Sequence, residues 1–130
     1  MRPVTLAVSL CGLLLVAAGA AGAHLLSREP VFPRDQWNSA LLYGFVHTLA
    51  GLAAAYAPLG PKLRLASAWT FVAGVVLFSG IQIVSVLASK PIGGPSPFDG
   101  LSPLIPAGGI AFMAGWVLLG VAALLRRPNA

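Results

Sequence analysis

The residues best placed to do chemistry in this 130-residue chain are His47, His24, Tyr43, Ser79, Gln82 and Trp116. His47 is the focus. It lies in the apolar stretch Ser39 to Ala57, whose nineteen residues rise about 28 Å as a helix, near the thickness of a bilayer's hydrocarbon core. A titratable side chain roughly 12 Å from either end of such a span is costly, and by default it marks a functional site. Each chemistry these residue types suggest meets an obstacle. A Ser79–His47 nucleophile and base need an orienting acid, and no carboxylate lies inside any apolar span. Ligation of one haem iron by both histidines fails on depth, since His24 and His47 differ by roughly 10 Å or more at the helical rise per residue. A proton or ion path needs polar groups along its whole length. Here they cluster in one half of the spans, with His24 outermost, then Gln82, Tyr43 and Ser79, and His47 and Trp116 near the middle. The expectation is a protein that is not an enzyme and that holds no cofactor or metal.

Four apolar segments must position these residues. Segment one covers about residues 4–26 and ends in a run of small residues, AAGAAGAH, suited to close helix approach. A signal peptide fits poorly, because the apolar stretch exceeds a signal core and three more spans follow. Segment two covers 39–57, with Pro58 disfavouring helix at Ala57. Segment three covers 65–87. Segment four covers 103–125, with Pro103 or Pro106 in its first turn, where little hydrogen bonding is lost. The connections are 27–38, 58–64 and 88–102. The second is short enough to make segments two and three antiparallel neighbours. Trp37, at the end of the first connection, stands where an interfacial anchor belongs. No internal repeat is evident.

Composition agrees. Hydrophobic residues make up 58% and charged residues 8%, and the mean hydropathy is +0.89. A soluble domain carries about a quarter charged residues, so lipid must be the solvent for most of this chain. The formal net charge of +5 does not indicate nucleic acid, because the charges sit in connections and at termini rather than in a patch with aromatic platforms. Arg2, Lys62, Arg64, Arg126 and Arg127 fall on one side, and Arg28, Arg34 and Lys90 on the other. That excess puts both termini in the cytoplasm. The single cysteine, Cys11, excludes an intramolecular disulfide and a cysteine-based metal cluster.

Small faces belong at helix contacts and large aliphatic faces in lipid. The helical neighbours of His47 are mostly small, so it points into the bundle. Gly44, Gly51, Gly74, Gly80, Gly108, Gly109 and Gly115 are the expected packing glycines. His47 then has two roles open to it. It can pin helix packing through a bond to Trp116, Ser79 or Tyr43. Alternatively it can end a polar pocket lined by His24, Tyr43, Ser79, Gln82 and Trp116.

The motifs AAGAAGAHLL (Ala17 to Leu26), YGFVHTLAGL (Tyr43 to Leu52), LFSGIQIVSVLAS (Leu77 to Ser89) and LSPLIPAGGIAFMAGW (Leu101 to Trp116) come in the order and spacing of a known family. The chain resembles the small four-span membrane family of bacterial YgdD and YwdK type, with animal mitochondrial relatives. The resemblance implies the same four spans and supplies no activity, substrate or cofactor. Gly44 stands where that family often has Gln, and Ile81 and Gln82 stand where it often has small or aromatic residues.

The expectation is an all-α, antiparallel four-helix transmembrane bundle with both termini cytoplasmic, integral to the inner membrane. Its role is structural or accessory, beside a larger membrane complex or through self-association, with the lipid bilayer as the constant partner. The alternative is an outward-facing binding protein for a lipid or small hydrophobic molecule.

Overall fold

The computed structural model describes residues 2–126. Arg127 lies outside the described residues. Four helices are long and apolar enough to cross a membrane: α1 (Arg2–Leu26), α2 (Arg34–Tyr56), α3 (Pro61–Ala88) and α4 (Leu104–Leu124). Among the described residues every regular element is helical.

The helix ends follow from local chemistry. Proline stands at or just before the first turn of α2, α3 and α4, as Pro33, Pro61 and Pro103, where its missing N–H removes no helical bond. Helix α2 starts at Arg34, ahead of the apolar run at Ser39. It ends at Tyr56 because Ala57, before Pro58, is extended at φ −58° and ψ 141°. Arg64 Nη1 donates to the Ala57 carbonyl at 2.9 Å and so ties α2 to α3 across their short link. In the third connection, Ser89 Oγ donates to Val86 O and accepts from Gly93 N, and Asp99 Oδ2 accepts from Ser96 N. Gly93 has φ +82°, and the Val31 carbonyl occupies the place of a side chain there. The first and third connections therefore pack on each other.

Helix α3 is central, with α2 and α4 against it and α1 against α2. The most apolar windows of α2 and α3 are 44% and 39% buried, against 22% for α1 and α4. Two helices thus form the interior and two form the flanks. The termini of α1 and α2 meet through Thr5 Oγ1 and Tyr56 OH, 2.9 Å apart, as antiparallel neighbours must.

Two helices change winding. Residues Gly22–Leu26 of α1 and Val75–Gly80 of α3 form π turns. Such turns are rare and recur near functional sites. The first sits beside Trp37. This residue does not anchor at an interface; it is 2% exposed. Its indole Nε1 fills the space a side chain at Gly22 would take, and its ring meets Phe32 edge-on at 5.6 Å. Because α2 begins at Arg34, Trp37 falls in the first helical turn, facing the small-residue end of α1.

Candidate functional site

His47 is 7% exposed, and two contacts fix its ring. Its Nδ1 lies 2.8 Å from the Tyr43 carbonyl, one turn earlier on α2. A carbonyl only accepts, so Nδ1 carries the proton in that bond. The ring face stacks on Phe112 of α4, with centroids 3.7 Å apart and planes 12° apart. Trp116 meets the imidazole edge-on at 6.3 Å, and Phe71 of α3 lies 5.8 Å away. Tyr43 extends the cluster through Phe78 at 5.2 Å.

This aromatic cluster rests on a glycine register between α3 and α4. A side chain at Gly74 would collide with the Phe112 ring, one at Gly108 would lie 2.5 Å from the Phe78 backbone nitrogen, and one at Gly115 would lie 2.7 Å from the Phe71 ring. Phe71, Gly74 and Phe78 on α3 therefore face Gly115, Phe112 and Gly108 on α4. The Phe112 and Phe71 rings enter the gaps left by Gly74 and Gly115, and the backbone at Phe78 closes on Gly108, in the order an antiparallel pair requires. Ser67 Oγ closes the same seam with a 2.8 Å bond to the Gly115 carbonyl.

The candidate residues separate into four places. Tyr43, His47 and Trp116 line one open groove of about 470 Å³ between α2 and α4, together with Phe78, Phe112 and Met113. Ser79 lines a different groove of about 510 Å³ between α1 and α3. Its hydroxyl is fully buried and, among the described residues, makes no hydrogen bond. Ser79 does not meet His47 because it packs against Gly44, where a side chain would lie 2.9 Å from its Oγ, nearly a turn before His47. Gln82 is buried, with its Nε2 donating to the Phe78 carbonyl on its own helix at 2.9 Å. His24 is exposed in the π turn of α1.

Among the expected packing glycines, Gly44, Gly51, Gly74, Gly108 and Gly115 meet a neighbouring helix. Gly80 meets none, and Gly109 only touches the α3 ring of Phe78. The nearest atoms to a side chain there would be Val75 O at 3.8 Å and Phe78 Cδ2 at 4.0 Å, because each glycine faces a groove. Residues missed from the sequence are Phe71 as the partner of the expected Gly115, Ser67, and the Gly22–Trp37 socket. The signal for the first was present: FVAGVVLF (71–78) and GGIAFMAG (108–115) carry Phe and Gly in mirrored order.

Four membrane-length helices around a buried aromatic seam define a four-helix integral membrane protein. Comparison then gives the family. The family described as "Protein of unknown function (DUF423)" matches residues 18–109. A UPF0382 membrane protein of Schizosaccharomyces pombe is 34% identical over 116 residues, covering 85% of this chain and 92% of the relative. The UPF0382 membrane protein YwdK of Bacillus subtilis is 33% identical, covering 86% and 88%. The UPF0382 inner membrane protein YgdD of Escherichia coli is 32% identical, covering 89% and 85%. The chain belongs to this DUF423 family of membrane proteins. No solved structure matches it.

Proposed function

We propose that this chain is a non-enzymatic membrane protein of structural or accessory role, a small subunit packing beside a larger partner in the inner membrane with both termini cytoplasmic. The observation that carries the proposal is how the buried polar groups are used. Ser67 bridges α3 to α4 through the Gly115 carbonyl, and His47 and Gln82 each direct a side-chain donor to a carbonyl of their own helix, so these donors serve the backbone rather than activating a reactant. The lightly buried flanking helices α1 and α4 leave apolar faces for lipid or a partner. Arg2, Lys62, Arg64 and Arg126 gather at one end of the bundle and support the orientation.

Native mass spectrometry of the chain, tagged at its own locus and extracted in mild detergent, is expected to show a larger assembly. A purely monomeric species would contradict the accessory role. An alkaline phosphatase fused after α4 is expected to be inactive, and an active fusion would overturn the orientation.

A second function, binding of a lipid or small hydrophobic molecule, is favoured by the two open grooves of about 510 and 470 Å³. These volumes fall in the range of small-molecule sites. Lipid analysis of the purified protein is expected to find a retained species, and recovery of bulk lipid alone would count against this function.

A further inference from the structure

The Tyr43 carbonyl takes the Nδ1 proton of His47, so in the neutral ring Nε2 bears the lone pair. No hydrogen bond from a described residue reaches Nε2. His47 lies nine residues from the Tyr56 end of α2 and thirteen from the Arg34 end, about 13 and 20 Å along the axis. Water that would satisfy the acceptor is absent at that depth, and an unpaired acceptor facing hydrocarbon is a standing cost. The ring lines the α2/α4 groove.

We propose that this groove binds a neutral, membrane-dissolved molecule that donates a hydroxyl to Nε2 of His47 and lays a flat ring among Tyr43, Phe78, Phe112 and Trp116. The proposal deepens the binding function above and rests on it. Three observations select the ligand class. The acceptor calls for a donor. The walls beside it are aromatic rings, which favour a flat ring in offset or edge-on contact. The groove-lining residues include no Lys, Arg, Asp or Glu, so a charged ligand would enter hydrocarbon without a counter-ion. A metal ion would find a single imidazole in the groove, and the described residues hold no cluster of three or more ligating side chains.

The test uses the full chain in lipid nanodiscs, with uptake measured by equilibrium dialysis against protein-free nanodiscs. The probes are hexylphenol and its methyl ether, hexylanisole, which keeps the ring and tail but loses the donor. Saturable uptake of hexylphenol is expected, about tenfold tighter than hexylanisole, as one hydrogen bond provides. His47→Phe keeps a stacked ring and is expected to lose the tenfold preference, whereas His47→Gln supplies another acceptor and is expected to retain it. Gly109→Leu fills the groove from a position with room for a side chain and is expected to abolish saturable uptake of both probes. Equal saturable uptake of the two probes, blocked by Gly109→Leu, would overturn recognition by His47 while leaving a binding groove. A preference that survives in His47→Phe would overturn it as well. Absence of saturable uptake would overturn both this proposal and the binding function beneath it.

Discussion

The two sides of α3 are built from the same kinds of residue and pack differently. Toward α4, each glycine faces a phenylalanine: rings fill the gaps at Gly74 and Gly115, and the Phe78 backbone closes on Gly108. Toward α1, Ala17, Ala18 and Ala21 face Val75, Val76 and Gly80, and a groove of about 510 Å³ remains. Small residues permit close approach, but they produce a filled interface only when the partner helix supplies large groups at matching positions. The polar groups differ in the same way. On the α4 side, Ser67 spans the seam to the Gly115 carbonyl. On the α1 side, the Ser79 hydroxyl is buried without a partner.

Breaking the filled side is expected to have the largest effect. Gly108→Leu would push into the Phe78 backbone, which cannot rotate away, and should cost about 3 kcal/mol, read as loss of folded protein in detergent unfolding. Phe112→Ala should cost about 2 kcal/mol. That is below the roughly 3–5 kcal/mol of water-soluble cores, because lipid solvates apolar groups nearly as well as protein does. Ser67→Ala should cost about 0.6–1 kcal/mol, the usual worth of an interhelical bond in a bilayer. On the open side, Gly80→Ala has no close neighbour and should add about 0.5 kcal/mol through reduced unfolded-state freedom. Ser79→Ala should change stability by less than about 0.5 kcal/mol, since no hydrogen bond is lost. A Ser79→Ala cost equal to that of Ser67→Ala would erase the contrast between the two sides.

Much of the fold was legible because lipid imposes a simple code. Span length, proline placement and the short second connection lead directly to four helices and to adjacency of α2 and α3. The inward direction of His47 followed from the small residues around it. Its partner was one of three residues the sequence offered, Tyr43, but side-chain spacing cannot show that the imidazole will bond the Tyr43 backbone carbonyl one turn back. The six-residue polar pocket fails as a unit for a related reason. Depth alone placed Ser79 near His47, but rotation about the α3 axis, changed by the π turn at Val75–Gly80, decides which groove Ser79 meets. Trp37 was misplaced because α2 begins before its apolar run. The mirrored Phe and Gly of 71–78 and 108–115 were readable and identify the α3/α4 register, provided both helices are compared together.

The central claim is that His47 gives its Nδ1 proton to its own helix and holds Nε2 as an acceptor toward the α2/α4 groove. Nitrogen NMR of histidine-labelled protein in nanodiscs reports which ring nitrogen carries the proton, with His24→Gln assigning the signals. The account predicts a protonated Nδ1 and a bare Nε2 for His47 in the ligand-free protein. A ring protonated at Nε2 with Nδ1 bare would contradict it.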